Sequence, residues 1–273
     1  MDDLYIETIE LMRKYNIKAN KNLGQNFLIS EEVLEQIINI ADVTSEDIVI
    51  EIGPGLGSLT KKLLKTAKKV ICIELDKKMI KILENRFNGT NLEIINQDVL
   101  KTDLQEFCRE RVKIVANLPY YITTPIIMKL LEEKLNIESI TVMVQKEVAK
   151  RLTAKPGTKD TGAITYAINY YTIPEYSLEV SSKCFIPSPE VDSAVIKLNV
   201  LKEPSIKIKN EEIFFKIIKL AFGQRRKTLS NALETGFPNS KKMLEELGIE
   251  KNRRGETLTL EEFAKIERYL ENG

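Results

Sequence analysis

A glycine-rich turn, placed between a short apolar run and the start of a helix, constrains the fold of this chain more than any other feature. The apolar run is Ile48 to Ile52, the turn is Gly53 to Gly57, and Ser58 to Leu64 has the pattern of a helix. A short, almost continuous apolar run is typical of a strand buried in a parallel sheet. Glycines allow the backbone to pass close to a ligand. We therefore expect a ligand site where this strand ends.

Apolar runs and helical patterns alternate from this turn to about residue 144. Such alternation favours a parallel sheet with helices on both faces, because the crossovers between parallel strands are right-handed. The sequence thus predicts an α/β fold with a doubly wound, mostly parallel sheet. The predicted strands are Ile48 to Ile52, Val70 to Ile73, Leu92 to Ile95, Lys113 to Ala116 and Ser139 to Val144, and helices are predicted at Lys77 to Phe87 and Thr124 to Glu133.

The pattern changes after about residue 160. Apolar and aromatic residues from Tyr170 to Val180 and from Ala194 to Val200 predict two late strands of the same sheet. From Glu211 onward the apolar spacing is helical. We therefore predict two domains. Residues 1–202 form the sheet domain with a basic N-terminal arm, and residues 203–273 form a small all-helical domain.

The spacing of the glycines separates two kinds of cofactor. A dinucleotide site follows G-x-G-x-x-G, whereas Gly53, Gly55 and Gly57 follow G-x-G-x-G, the S-adenosylmethionine version, which has no pyrophosphate to hold. Glu74, at the tip of the second strand, can accept both hydroxyls of a ribose. Asp98, at the tip of the third, can accept from an adenine amino group. The alternative, glycines that only tighten a turn, leaves the two carboxylates unexplained.

The segment Asn117-Leu118-Pro119-Tyr120 follows the fourth predicted strand, and its chemistry suits methylation of an exocyclic amine. The lone pair of an adenine N6 is delocalised into the ring. Hydrogen bonds from N6 to the Asn117 side-chain oxygen and to a backbone carbonyl would hold the nitrogen closer to tetrahedral. Proline, with its fixed φ, helps to present that carbonyl, and Tyr120 offers a face for stacking. In isolation, the motif is also compatible with a turn that merely contains a proline. Its position at the tip of the fourth strand favours the functional interpretation.

The composition excludes several kinds of catalysis. The chain contains no histidine, which removes Ser-His-Asp and Cys-His catalysis and imidazole metal ligands. Amine methylation fits this composition, because the nitrogen loses its proton only after the attack. The chain has 41 Lys and Arg residues against 40 Asp and Glu residues. A strong electrostatic field of one sign over the whole protein is therefore excluded, but a local basic patch is not. We expect no metal.

Cysteine usage and the absence of targeting signals favour a cytoplasmic protein. Cys72, Cys108 and Cys184 are widely spaced and form no C-x-x-C pair, so free thiols in a reducing compartment are expected. The acidic start of the chain lacks the pattern of a signal peptide. The longest uncharged stretch is too short to span a bilayer. We expect no membrane contact.

Six sequence blocks occur in one order along nearly the whole chain. They are Leu23 to Leu28, Glu51 to Gly57, Asn117 to Tyr120, Gln145 to Ala149, Phe185 to Ala194 and Phe222 to Leu229. With these blocks the chain resembles the bacterial small-subunit ribosomal RNA adenine N6,N6-dimethyltransferases. The resemblance implies a class I, Rossmann-like, S-adenosylmethionine-dependent methyltransferase domain and a helical C-terminal domain. It also implies that two adjacent adenosines near the 3′ end of 16S rRNA each receive two methyl groups.

The resemblance further implies roles for individual residues and a partner. Asn117, Leu118, Pro119 and Tyr120 would form the catalytic motif, and Phe185 would stack on the flipped adenine opposite Tyr120. The partner would be small-subunit rRNA within the immature 30S subunit, and we expect a monomer. The implied contacts of S-adenosylmethionine, the methyl donor, are Asn26, Leu28, Gly53, Gly55, Glu74, Asp98 and Asn117.

A basic stretch from Lys207 to Asn231 carries seven Lys and Arg residues against Glu211 and Glu212. A charge run is usually a solvated helix face. Beside a base-modifying site, however, a footprint for the RNA backbone is the better interpretation. We expect Arg225, Arg226 and Lys227 to bind RNA.

Three other functions compete with this interpretation. The closest is an adenine N6-methyltransferase of large-subunit rRNA, the macrolide-resistance type, which shares the fold, cofactor and amine chemistry. An RNA-binding assembly or transcription factor without activity is a second, and the intact cofactor motifs count against it. A DNA amino-methyltransferase is a third, and the whole-chain resemblance disfavours it.

Overall fold

Within residues 3–20, 23–223 and 227–272, which the computed structural model describes, the chain forms a seven-stranded sheet, a separate two-stranded ribbon and flanking helices. The strands are β1 Phe27–Leu28, β2 Ile48–Ile52, β3 Lys69–Glu74, β4 Leu92–Asn96, β5 Val112–Asn117, β6 Ile137–Gln145, β7 Thr172–Val180, β8 Phe185–Ile186 and β9 Ser193–Val200. The helices are α1 Asp3–Lys14, α2 Glu31–Ala41, α3 Ser58–Thr66, α4 Lys77–Phe87, α5 Thr123–Glu132, α6 Lys146–Leu152, α7 Ala163–Tyr171, α8 Glu211–Gly223, α9 Leu229–Leu233, α10 Ser240–Glu246 and α11 Leu260–Asn272.

The main sheet has the strand order β4-β3-β2-β5-β6-β9-β7. Strands β4, β3, β2, β5 and β6 run parallel to one another, and β9 runs antiparallel to β6. The chain order reverses between β2 and β5, which is the topological switch point where open α/β sheets bind ligands. The predicted doubly wound, mostly parallel sheet and the helical C-terminal region are confirmed.

The helices on the sheet begin where the sequence provides capping side chains. The Ser30 side chain accepts a hydrogen bond from the Val33 amide at the start of α2. Asp76 caps α4 in the same way, accepting from the Lys78 amide. Such caps satisfy backbone amides that have no partner in the first helical turn. The predicted helix from Lys77 to Phe87 is therefore confirmed to the residue.

The predicted strand beginning at Tyr170 is wrong in its first part. Tyr170 and Tyr171 end helix α7, and the strand begins at Thr172. Helix α7 opens with the Gly162 amide bound to the Thr165 hydroxyl. Tyr170 packs against Phe214 of α8, with ring centroids 5.4 Å apart. A strand is the wrong prediction here because aromatic residues are common in strands, whereas these tyrosines pack between helices.

The chain divides into two compact units. One contains residues 3–149 and 175–200, and the other contains residues 150–174 and 201–272. The boundary lies inside β7, so the second unit includes α7 as well as α8 to α11. The division into two domains after residue 202, which the sequence suggests, stays a prediction.

A buried cation ties strand β5 to the loop before β2. The Lys113 side chain is 6% exposed. Its Nζ lies 2.9 Å from Asp47 Oδ2 and also donates to the Asp42 carbonyl. Burial raises the pKa of Asp47, but the hydrogen bonds from Lys113 and Thr44 outweigh it and leave the pKa below its usual value. The pair therefore stabilises the fold as long as Asp47 is ionised.

We predict that Lys113→Met lowers the free energy of unfolding by about 3 kcal/mol, because it leaves a half-buried carboxylate without its cation. The difference from the wild type should shrink as the pH falls below about 4, since protonated Asp47 needs no cation. Chemical denaturation over that pH range measures both effects. The control is Lys69→Met in β3 of the same sheet, which removes an exposed pair with Glu93 and should cost less than about 1 kcal/mol. Equal losses of stability in the two variants would contradict the prediction.

Candidate functional site

A cavity lies at the carboxyl-terminal edge of the parallel strands. It is lined by residues that follow β2, β3, β4 and β5, and by a strap formed by residues 23–28. The parallel arrangement accounts for this grouping, because the ends of all parallel strands meet at one edge of the sheet. Ten predicted site residues line the cavity: Asn26, Leu28, Gly53, Gly55, Glu74, Asp98, Asn117, Leu118, Pro119 and Tyr120.

The glycine turn adopts the backbone conformations that glycine favours. Gly53 and Gly55 have φ values of 67° and 56°. A Cβ added to Gly53 would meet no atom within 4 Å, so this backbone borders open space. A Cβ on Gly57 would lie 2.7 Å from the Phe87 ring. Gly53 is therefore placed for a ligand to approach, whereas Gly57 is required for packing against α4.

Glu74, the last residue of β3, connects that strand to the glycine turn. Its Oε2 accepts from the Gly55 amide at 3.2 Å, and its Oε1 accepts from the Asp76 amide at 2.8 Å. Burial raises the pKa of Glu74, against the effect of these amides. Asp98 is half-buried, and its Oδ1 accepts from the Leu100 amide at 3.0 Å. Each carboxyl group thus has oxygen lone pairs left that can accept hydrogen bonds from a ligand in the cavity.

The strap is held at two points. The Gln25 side chain donates to Asp76 Oδ2 at 3.0 Å and accepts from the Asn20 amide at 2.9 Å. The Asn117 side-chain amide donates to the Asn26 carbonyl at 3.2 Å. The Asn117 Oδ1 accepts from no residue in the part of the chain that the structure describes, so it is available to accept from a ligand. The strap therefore fixes the orientation of the Asn117 side chain.

The backbone after Asn117 turns sharply into helix α5. The Pro119 carbonyl accepts from the Ile122 amide and from the Thr123 hydroxyl, both at 3.2 Å. No described residue donates to the Leu118 carbonyl. The Tyr120 hydroxyl lies 2.6 Å from the Ser193 hydroxyl, and burial raises its pKa. Free acceptors and one anchored aromatic ring thus lie together at the end of β5.

Comparisons with known proteins agree with this site. A family model described as ribosomal RNA adenine dimethylase matches residues 16–272. The chain belongs to that family. As its sequence implied, it is an rRNA adenine dimethyltransferase.

Individual relatives support the same conclusion. The ribosomal RNA small subunit methyltransferase A of Alkaliphilus oremlandii is 48% identical over 271 residues, covering 95% of this chain and 94% of the relative. A dimethyladenosine transferase from Plasmodium falciparum has 30% identity and a TM-score of 0.77, covering 90% of this chain and 98% of its own. The 23S rRNA methyltransferase ErmE has 26% identity and a TM-score of 0.71, covering 90% of this chain and all of its own.

Phe185 is the one predicted catalytic residue that lies away from the cavity of this dimethyltransferase. It pairs with Leu28 in the β1–β8 ribbon, and its side chain is 2% exposed within a core cluster that includes Leu34 and Val195. In this arrangement its ring has no free face for a base. A stacking role for Phe185 stays a prediction that requires the ribbon to move.

The predicted RNA-binding residues are only partly described. Arg225 and Arg226 lie outside the described residues, and Lys227 is exposed. In the described part of the chain, no helix has the length and apolarity needed to cross a membrane. All three cysteines carry free thiols.

Glu51 is a cavity-lining residue that the sequence analysis did not single out. It lies in β2, and its Oε2 accepts from the Thr60 hydroxyl at 2.6 Å and from the Cys72 thiol at 3.4 Å. Burial, assisted by the nearby charge of Glu74, raises the pKa of Glu51 to about 7 despite these hydrogen bonds. The signal in the sequence that points to Glu51 is its position as the one acidic residue inside the otherwise apolar strand β2.

We predict that Glu51→Gln stabilises the ligand-free protein above pH 7. In the wild type, the folded state holds a proton that the unfolded state releases, so stability falls as the pH rises from about 4.5 to about 7 and is constant above. The total loss is on the order of 3 kcal/mol. The glutamine variant should lack this loss, because its side chain is always neutral. Urea denaturation at several pH values between 5 and 8 tests this, and an identical pH dependence in both proteins would refute it.

Proposed function

We propose that this enzyme transfers methyl groups from S-adenosylmethionine to N6 of two adjacent adenosines near the 3′ end of small-subunit rRNA. The observation that carries the proposal is the orientation of Asn117. Its Nδ2 is bound to the Asn26 carbonyl, so its Oδ1 is the atom left to accept a hydrogen bond from an amine in the cavity.

Two acceptors at the end of β5 would position the target amine. In the first transfer, one N6 hydrogen would be donated to Asn117 Oδ1 and the other to the Leu118 carbonyl, because the Pro119 carbonyl is already occupied by Ile122 and Thr123. In the second transfer, the one remaining N6 hydrogen would be donated to one of these two acceptors. Such bonds reduce delocalisation of the nitrogen lone pair and direct it toward the methyl donor. The proton leaves after the attack, so no histidine is needed. Rate enhancement then depends on proximity and orientation.

The residues around the cavity suit S-adenosylmethionine, which supplies an electrophilic methyl group when bound. Gly53 offers open backbone that a Cβ would fill, which fits the close approach of the methionine part. Glu74 would accept from the ribose hydroxyls and Asp98 from the adenine amino group. Asn26, Leu28, Gly55 and Asn117 would complete the contacts.

The choice of the small subunit rests on the relatives. The relative from Alkaliphilus oremlandii, named for the small subunit, is 48% identical, whereas ErmE, named for 23S rRNA, is 26% identical. We further propose that the protein acts on the immature 30S subunit in the cytoplasm, as a monomer and without a metal. The decisive experiment offers labelled S-adenosylmethionine with purified, unmethylated small or large subunits. Dimethyladenosine at two adjacent positions of small-subunit rRNA supports the proposal, and transfer to large subunits alone would reject it.

We predict that Asn117→Ala reduces single-turnover methyl transfer by about 100-fold or more, because it removes the acceptor that orients the amine. Binding of S-adenosylmethionine, measured by calorimetry, should fall much less. The control is Asn199→Ala in β9, which removes an exposed hydrogen bond to Glu175 of β7 and should leave both quantities unchanged. Near-normal turnover of Asn117→Ala would exclude the orienting role.

We also predict that Arg225, Arg226 and Lys227 bind the RNA backbone. Changing all three to Gln should reduce the slope of log affinity against log salt by about 0.7 to 0.9 for each phosphate that the variant no longer binds. Calorimetry should show unchanged cofactor binding. A variant with Lys241, Lys242 and Lys265 changed to Gln removes the same charge from other exposed positions and serves as the control. Equal slopes in the two variants would mean that the predicted run is only a solvated surface.

A further inference from the structure

Tyr121 is an exposed aromatic residue at the cavity, and the proposed chemistry does not use it. Its side chain is 56% exposed although it lines the cavity, and its hydroxyl makes no hydrogen bond to any described residue. We propose that Tyr121 is the stacking platform for the nucleobase next to the adenosine that is being methylated. This inference rests on the proposed function, since it requires a strand of RNA whose target base enters the cavity.

The backbone directs the two neighbouring tyrosines to different places. Residues Tyr120–Ile122 form a single turn of 3₁₀ helix, in which successive side chains diverge by about 120° because there are three residues per turn. Tyr120 is anchored to Ser193. Tyr121 instead lies against the strap. One aromatic ring is therefore committed to the interior of the site, and the other is left at its surface.

Gly24 holds the Tyr121 ring in place. A Cβ on Gly24 would lie 3.3 Å from Tyr121 Cδ1 and 3.4 Å from Cε1, so the ring rests close to the strap backbone. Gly24 has a φ of 60°, a conformation that other residues rarely adopt. A ring supported on one side loses little conformational freedom when a ligand covers its exposed surface. Tyr121 is thus preorganised for stacking.

The chemistry of the substrate specifies the occupant. Moving an adenine out of a strand into a cavity removes the stacking partner of the neighbouring base. The proposed substrate has a second adenosine at that position, and a purine stacks well on an aromatic ring. Stacking on an aromatic side chain contributes about 1 to 3 kcal/mol per base, which corresponds to roughly 5- to 150-fold in affinity. Tyr121 would recover the stacking that the neighbouring adenine loses.

The test combines protein variants with a change in the RNA. Unmethylated small subunits are reconstituted with rRNA whose 3′ segment is synthetic and carries either both adenosines or one adenosine beside an abasic nucleotide. Tyr121→Ala should weaken binding of the intact subunits by about 5- to 150-fold, and Tyr121→Phe should bind like the wild type. On the abasic subunits, wild type and Tyr121→Ala should bind equally. Tyr176→Ala, which alters an exposed tyrosine of β7 that does not line the cavity, serves as the control and should change neither affinity.

Three results would overturn the inference. If Tyr121→Ala weakened binding by the same factor on intact and abasic subunits, the ring would contact something other than the neighbouring base. If calorimetry showed that Tyr121→Ala mainly impairs binding of S-adenosylmethionine, the ring would be a cover for the cofactor. If the wild type methylated no small subunit, the proposed function would fail, and this inference would fail with it. If the wild type methylated small subunits normally but either of the first two results appeared, only the role of Tyr121 would be rejected.

Discussion

The hydrogen bond from the Asn117 amide to the Asn26 carbonyl joins the two parts from which the site is built. The first part is the edge of the parallel sheet, where Glu74, Asp98 and Asn117 meet because their strands run in the same direction. The second part is the strap of residues 23–28, which precedes Asn117 by about 90 positions in the chain. Without this bond the Asn117 side chain could rotate and present either its oxygen or its nitrogen to the cavity. The bond from Gln25 to Asp76 secures the strap just after the end of β3. The strap is therefore held at the ends of two strands, β3 and β5.

The sequence predicted the sheet edge well and the strap poorly, for a physical reason. Strand ends follow from local apolar runs, and the rule that parallel strands end at one edge converts these local patterns into a three-dimensional site. The bonds of Gln25 and Asn117 connect side chains to distant partners and leave no periodic signal in the chain. The resemblance to a known family named Asn26 and Leu28 as contacts but gave no reason for Gln25. The helix that contains Tyr170 and Tyr171 was likewise hidden from local patterns, because aromatic residues of α8, distant in the chain, stabilise it.

A chain without histidine still contains a group that titrates near neutral pH. Glu51 has a pKa of about 7 because it is buried beneath the glycine turn with Glu74 nearby. A cation bound in the cavity would favour its ionised form and lower that pKa. By linkage, ionised Glu51 would in turn favour binding of the cation. Any pH dependence of cofactor affinity near neutrality is therefore expected to report on Glu51, whereas the methyl transfer itself needs no group of this kind.

The position of Phe185 links target binding to the strap. Strand β8 pairs with β1 in the register Phe27 to Ile186 and Leu28 to Phe185, and β1 is the end of the strap that carries Asn26. The Phe185 ring also shares a buried core cluster with Leu28, a predicted cofactor contact, so exposing the ring to a base would uncover part of that cluster. If the ribbon shifted to uncover the ring, the shift would pass through β1 to the adjoining Asn26 carbonyl, on which the orientation of Asn117 depends. An adenine held between Tyr120 and Phe185 is therefore compatible with amine orientation only if the ribbon moves as a unit and keeps the Asn26–Asn117 bond. The exposed ring of Tyr121 has no such requirement, because it rests on Gly24 and is already open to solvent.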